Sequence, residues 1–560
     1  MKRSTITKGR LTRRALLVQG SAIALVAACA PAVITSPSPA ASGGASGASA
    51  GSAPAAASGA PKTGGTFIYA NNVDVAPLIP GSTATVDHQR VLSLMYEGLV
   101  TQDLHDLKDA ALPEKPWLAE SWDISSDGLQ YTFKLRQNVK FHDGTPFDAD
   151  AVKVNFERAT LASSPYYDKT VAGLSAKIYN YVAKGEVVDK YGWRLTLKSP
   201  VGEFIRLLAD RVILMVSPAA LAKYGAAGIV DHPVGTGPFT FVQRVAGQRI
   251  ELAKNKDYWA GAPYLDKVIM TVVPDAQARF AALKSGEVDF VTAMDPDQAA
   301  IYKADPNVNL VFNPSPMTWV WMLNCKQGPT TNKQVRQALN YAWNRDALVK
   351  DLLLDLATPA IAPAAPGNAA SPPSHAQYTY DPEKAKKMLA DAGYPNGFAM
   401  TLVYGDKGLN DQVNTLIQSD FRKVGVDVKL EKMEYAAFLS MFSKGLPDQY
   451  GGGQTFWATS AHLGQWLETV FSSKFQPPHG NNRDWYSSAE VDRLLDEARP
   501  ISDPKKSADA YRKVLDVVME DAPWVWFYHD KNPMAVRKRV HGLDITSSQF
   551  FDLKPVWVDA

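Results

Sequence analysis

His142-Asp143-Gly144 sets an imidazole beside a carboxylate, a pairing that could move a proton or form one side of a metal site. Asp-Gly directly after a strand-like run is also a strong turn signal, and a turn is the expected role here. Gly47-Ala48-Ser49-Ala50-Gly51 has the form of a nucleophile elbow, in which a serine stands on a sharp strand-to-helix turn. No strand pattern precedes it and no helix pattern follows, so the match reflects composition. Lys62-Thr63-Gly64 and Ser502-Asp503-Pro504-Lys505 echo elements of serine-acylating enzymes, but in the wrong chain order and with the middle element missing. Gly235 and Gly237 open a dinucleotide-type glycine pattern that ends at Thr240, where a third glycine is needed. The nine histidines show no metal-ligand spacing. Neither catalysis nor a metal nor a cofactor is expected.

The N-terminus carries a different kind of chemistry. Arg13 and Arg14 precede an apolar run, Ala15 to Ala28, that is shorter than the roughly 20 residues needed to span a bilayer and ends in small residues before Cys29. Thr12-Arg13-Arg14-Ala15-Leu16-Leu17 resembles a twin-arginine export signal, and Val26-Ala27-Ala28-Cys29 resembles a bacterial lipobox. The expectation is a signal peptide over 1–28, with Cys29 lipidated as the mature N-terminus on the outer side of a cell membrane. Ser36 to about Gly65 is almost entirely Ala, Gly, Ser and Pro, a composition that cannot bury enough apolar surface to order itself. Residues 29–65 therefore read as a lipidated tether.

The formal charge of +2 becomes −4 once the six cations of the signal, Lys2, Arg3, Lys8, Arg10, Arg13 and Arg14, are gone. That leaves no basic footprint for nucleic acid. Cys325 has no partner if Cys29 carries lipid, so no disulfide framework holds the fold. A large apolar core must do so, and 46% hydrophobic residues supply the material for two or three domains.

Beyond the tether the pattern is α/β. Phe67-Ile68-Tyr69-Ala70 reads as a first strand and Val86 to Leu99 as a helix, with Val91, Leu94, Met95 and Gly98 at helical spacing. Leu129, Tyr131, Phe133 and Leu135 alternate onto one face of a strand, and Asp148 caps a helix that turns Val152 and Phe156 inward. Two strand-helix-strand units follow, far apart in sequence. One runs from Val268 through a helix ending at Gly286 to Val291; the other runs from Met400 through a helix ending near Val424 to Leu430. Each asks for its own parallel sheet, so two α/β lobes are expected. Val335, Ala338, Leu339 and Ala342 form one helical stripe. Asp381-Pro382 opens another helix that stops at Gly393. Ser487 and Glu490 can form a capping box for a helix bearing Val491, Leu494, Leu495 and Ala498. Asp503-Pro504 starts the last helix, with Tyr511, Val514, Leu515 and Val518 inward, and the apolar strand Pro523 to Tyr528 is expected to return to the first lobe.

Leu118-Ala119-Glu120-Ser121-Trp122, Asp127-Gly128, Tyr131-Thr132-Phe133, Leu135-Arg136 and Val139-Lys140-Phe141-His142-Asp143-Gly144-Thr145-Pro146-Phe147 together resemble the signature of the family 5 extracellular solute-binding proteins. These are the peptide, dipeptide and nickel receptors of ABC importers. Gly235-Thr236-Gly237-Pro238-Phe239, Asn255-Lys256-Asp257-Tyr258-Trp259, Ser285-Gly286-Glu287-Val288-Asp289, Val335-Arg336-Gln337-Ala338-Leu339 and Asp381-Pro382-Glu383-Lys384-Ala385 keep the family's order, and the similarity runs from about Gly65 to Pro555. The resemblance implies a periplasmic-binding-protein-like fold of the cluster C type. Its first lobe would take 66–102, 226–315 and 526–560, a small signature-bearing domain 103–225, and a second lobe 316–525, with two hinge crossovers between the lobes. It further implies that ligand is gripped as the lobes close, that nothing is catalysed, that the partner is an ABC permease in the membrane, and that the protein is a monomer.

Peptide-binding members of that family carry a segment resembling Trp-Ala-Asp-Tyr-Pro-Asp-Pro beside the cleft, followed by an aromatic-Leu pair. Its second aspartate can pair with the peptide's α-ammonium. This chain has Trp457-Ala458-Thr459-Ser460-Ala461-His462-Leu463 and then Trp466-Leu467, so Thr459 and His462 stand where the acids would be. A buried ammonium without a carboxylate keeps a desolvation penalty of order several kcal/mol. Free-amine peptides thus need an acid from elsewhere, with Glu468 or Asp448 as candidates. The expected ligand-binding set is Trp319, Trp321, Gln454, Trp457, Thr459, His462 and Trp466, near Gly451-Gly452-Gly453, where a backbone can approach closely. A peptide-like or other small polar solute fits these aromatic faces. So does an oligosaccharide, and His462 leaves nickel or a metal chelate open.

Overall fold

The computed structural model describes residues 60–559 except 84, 106–112, 293, 295, 313–316, 361, 365–369, 371–377, 459–462 and 547–548. Cys29, the export signal and most of the tether lie outside the described residues.

Thr66–Asn71 is the middle strand of a seven-stranded sheet, flanked in parallel by Lys267–Val272 and Phe290–Val291. The helix joining those flanks, Ala276–Ser285, begins where Asp275 accepts the Ala278 N–H at 2.7 Å and ends at Gly286 with φ 84°. A left-handed C-cap of this kind favours glycine. Antiparallel strands extend the sheet on both sides: Arg249–Lys254 and Phe239–Val245 on one, Met534–Arg537 and Val308–Val311 on the other.

A second sheet has six strands in the order Ala357–Pro359, Trp524–Asp530, Met317–Leu323, Gly452–Ala458, Phe398–Gly405, Val426–Met433. The expected second strand-helix-strand unit is its parallel edge, with helix Asn410–Lys423 between Phe398–Gly405 and Val426–Met433. Apolar clusters cover both faces of this sheet. The stripe Val335, Ala338, Leu339 and Ala342 is wholly buried in one of them.

Two strand pairs carry the chain between the sheets. Val308–Val311 hands over to Met317–Leu323, and Trp524–Asp530 hands back to Met534–Arg537. The first crossover runs between Val311 and Met317. The second corrects the expectation: Trp524–Asp530 belongs to the second lobe, paired with Met317–Leu323 and Ala357–Pro359, and the return to the first lobe comes only at 531–533. All of its residues but the last are buried, so its composition suits the middle of either sheet and only pairing decides.

The small domain is a four-stranded antiparallel sheet, Ala119–Ile124, Gln130–Leu135, Gly192–Leu197 and Val182–Asp189, backed by helices Ala149–Thr160 and Lys169–Tyr179. Tyr131, Phe133 and Leu135 face inward, and Asp148 caps its helix by accepting from the Ala151 N–H. Two boundaries differ from expectation. The helix from Val86 ends at Met95, because Gly98 passes so close to another chain segment that an added Cβ would lie 2.8 Å from the Ile213 carbonyl. The helix Ala489–Ala498 is capped by Ser488, whose hydroxyl accepts the Val491 N–H, and Ser487 does not serve.

Most of the signature is internal bonding. Asp143 accepts from the Thr145 N–H at 3.0 Å and from the Ser217 hydroxyl at 2.5 Å, closing the turn. His142 accepts the Gly235 N–H on Nδ1 and donates from Nε2 to the Gly237 carbonyl at 3.0 Å. Burial lowers its pKa and keeps the ring neutral, as this bonding requires. Glu97 is buried and accepts from Tyr258 Oη at 2.6 Å, Thr236 Oγ1 at 2.7 Å and Trp259 Nε1 at 2.9 Å. Two sequence motifs, one around Thr236 and one holding Tyr258-Trp259, thus converge on one carboxyl of the first lobe.

Candidate ligand site at the crossover

Met317–Leu323 enters the second sheet directly from the crossover, and its alternation sends Trp319, Trp321 and Leu323 to one face. Depth along that face separates the two tryptophans. Trp319, nearest the crossover, lies opposite Phe456 on one neighbouring strand and Tyr528 on the other. Its ring centroid is 4.9 Å from that of Phe456 and 5.8 Å from that of Tyr528, and it is only partly buried. Its Nε1–H is shielded from solvent and has no acceptor among the described residues. An orphaned donor of this kind costs free energy unless something fills it.

Trp321, two residues on, is fully buried and donates from Nε1 to Asn414 Oδ1 at 2.8 Å. Edge contacts with Phe421 and Phe527 complete its packing. Gln454, directly opposite, is also buried: its amide accepts from Asn414 at 2.7 Å and donates to Asn410 at 3.0 Å. Both were expected at the ligand; the structure makes them a satisfied core network. Trp466 is a further correction, since its indole packs edge-on against Phe471 and Trp524 in the core. Trp457 is half-buried on the opposite face, with its Nε1–H on Met322 Sδ at 3.5 Å and the Arg483 guanidinium 5.1 Å from its ring. Thr459 and His462 lie outside the described residues.

Three residues missed from sequence stand beside Trp319. Phe456 and Tyr528 are the first two, brought there by strand pairing that no local pattern reveals. Lys407, in the turn after Phe398–Gly405, is exposed and holds its ammonium 5.1 Å from the Phe456 ring and 4.7 Å from the Tyr435 ring. That turn and the end of Gly452–Ala458 are carboxyl ends of parallel strands, where ligands of α/β sheets bind. A fourth, Asp530, ends the strand two residues after Tyr528 and interacts electrostatically with it. Its carboxyl accepts the Asn532 N–H at 2.8 Å, and burial raises its pKa. The acids considered from sequence are engaged elsewhere. Glu468 bonds Tyr181 and Arg499, and Asp448 is exposed with Lys326 at 3.7 Å.

Among the described residues there is no cluster able to hold a metal ion, and no helix long and apolar enough to cross a membrane. The arrangement offers aromatic faces, one cation, one acid and a donor without an acceptor among the described residues.

Comparisons with known proteins agree with this geometry. Residues 114–472 match the family model for the middle region of bacterial extracellular solute-binding proteins, family 5. The glutathione-binding protein GsiB of Escherichia coli O1:K1 is 35% identical over 472 residues, covering 83% of this chain and 89% of the relative. Among solved structures, the ABC transporter-associated periplasmic binding protein DppA of Helicobacter pylori, in complex with the peptide STSA, superposes with a TM-score of 0.77 at 27% identity, over 89% of this chain and 99% of that one. HbpA2 of Haemophilus parasuis gives 0.78 at 28% identity, over 89% and 100%. These relatives are transport components that bind and release without altering their cargo. With two sheets linked by two crossovers and an inserted small domain, the chain belongs to the family 5 extracellular solute-binding proteins of ABC importers.

Proposed function

We propose that this protein is a lipid-anchored receptor that captures a small peptide-like solute outside the cell membrane and delivers it to an ABC permease. The observation that carries the ligand reading is the Trp319 indole N–H, shielded and unfilled beside Phe456 and Tyr528 where the chain crosses between lobes. In this reading Trp319 donates to a ligand carbonyl, the three rings bracket the ligand's apolar surface, Lys407 takes a carboxylate, and Asp530 takes the ammonium that Thr459 and His462 leave unpaired. Glutathione is the first solute to test, because the GsiB relatives are named for it and because it combines peptide groups with both charge signs.

Calorimetric titration of the purified chain should give saturable binding of glutathione or a short peptide, and Trp319→Ala should weaken it. Saturation by an oligosaccharide or by nickel with histidine, without any by peptides, would replace this reading. The anchor has its own test: Cys29→Ser should release the protein from membranes with solute affinity unchanged, and continued membrane association would remove the lipid from the account.

A further inference from the structure

The small domain touches both lobes, in two different ways. The chain enters it from the first lobe and returns to the first lobe, and an apolar cluster spans the join, with Ala159, Val171, Leu214 and Val216 packed among Tyr69, Leu94 and Phe239. Its contact with the second lobe is polar. The Gly202 N–H donates to the Arg499 carbonyl at 2.9 Å, and Tyr181 Oη donates to Glu468 at 3.1 Å. Glu203 Oε2 accepts the Gly464 N–H at 3.2 Å, and the Gln465 N–H also bonds this carboxyl. A carboxyl from one body therefore caps the first turn of a helix in the other, Leu463–Phe471, which begins one residue after His462.

We propose that Glu203 is a proton-sensitive latch: lobe closure buries its carboxyl against the first turn of Leu463–Phe471, and acidification favours that closed state. An apolar weld keeps the small domain with the first lobe, so when the lobes part the polar contact is the one that separates. The groups facing Glu203 are Arg206 from its own helix, itself bonded to Glu114 of strand Glu114–Pro116, and Tyr181, Glu468, Arg499 and Tyr511 around the same small cavity. Burial pushes the Glu203 carboxyl from 4.5 to about 7, outweighing the opposite pull of Arg206 and the two amides. In the parted state the group faces water and returns to its ordinary value. The closed state then binds the proton more tightly, so closure takes up a proton between those two values and strengthens as pH falls through them. The closed-to-open ratio should be about 30-fold higher at pH 5.5 than at pH 8.

The test reads distance instead of solute binding, so its outcome is separate from that of the ligand assignment. In the full chain carrying Cys29→Ser and Cys325→Ala, nitroxide labels on the exposed positions Val188→Cys and Lys505→Cys report the gap by pulsed electron resonance. The short-distance population should grow as pH is lowered from 8 to 5.5. Glu203→Gln still accepts the amides but cannot ionise, and should hold that population high and independent of pH. Gly202→Ala would place a Cβ 1.9 Å from the Ile501 carbonyl, a wedge that should abolish the short population at every pH with the fold intact by circular dichroism. A pH-independent parent, a Glu203→Gln variant that titrates as its parent does, or a Gly202→Ala variant that closes normally would each overturn the latch.

Discussion

The signature region and the crossover region use the same kinds of side chain to opposite ends. Around Glu97, two motifs supply Tyr258, Trp259 and Thr236, and each of these donors meets the carboxyl at 2.6–2.9 Å. At the crossover, Trp319 presents the same indole donor with no acceptor among the described residues. Matched polar groups in a low-dielectric interior stabilise a scaffold; an unmatched, shielded donor carries a cost that an acceptor on a ligand would relieve. The residues most recognisable in sequence are thus the scaffold, and the candidate site lies where the pattern is least marked.

The contrast can be broken by substitution. Trp321→Ala removes a fully buried indole and its bond to Asn414, and should lower stability by about 4 kcal/mol in denaturant titration while any solute affinity at low temperature holds. An affinity collapse without destabilisation would move Trp321 out of the core. Gly235→Ala forces a Cβ to 2.2 Å from the Met95 carbonyl in the join between small domain and first lobe, and should cost about 3 kcal/mol by the same measurement. Trp319→Ala should do the reverse. We expect at most about 1 kcal/mol of stability lost, since the ring is partly exposed, with roughly 30-fold weaker solute binding by calorimetry. Equal losses in both assays would make Trp319 another core residue.

The smallest effect concerns pH. Burial pushes Glu97 up to about 7 from 4.5 despite its three hydrogen bonds. A carboxyl raised on folding contributes most below its unfolded value and loses that contribution as pH climbs through the folded one. Thermal stability should therefore fall between about pH 4.5 and 7 in the parent, and Glu97→Gln should flatten this slope whatever its fixed cost. An unchanged slope would mean that another group titrates there.

Local signals were legible wherever a short stretch of chain decides the outcome. Asp148, Asp381 and Asp503 each accept from an amide three residues on, because a cap needs only its own turn. Both strand-helix-strand units were readable for the same reason. Ser487 was mistaken for Ser488 because two adjacent hydroxyls offer the same chemistry and the φ/ψ of the entering chain selects between them. Trp524–Asp530 went to the wrong lobe because a strand buried on both faces carries no mark of its partners. Among the expected site residues, Trp319 and Trp321 share spacing and face. Nothing in the sequence says that Asn414 receives the indole N–H of one while that of the other has no acceptor among the described residues.

By itself the chain's sequence determined what depends on neighbours within a few residues or on composition: helix caps, alternating strands, two α/β lobes and the family whose motifs it carries. Tertiary structure alone decided which strands pair, and with them the meeting of Trp319, Phe456, Tyr528 and Asp530 and the seating of Glu203 on a distant helix. The reason is physical. Burial and hydrogen-bond partnership belong to positions in space, and residues separated by 72 to 261 places, as Phe456 is from Tyr528 and Glu203 from Gly464, become neighbours only through the summed packing of everything between them.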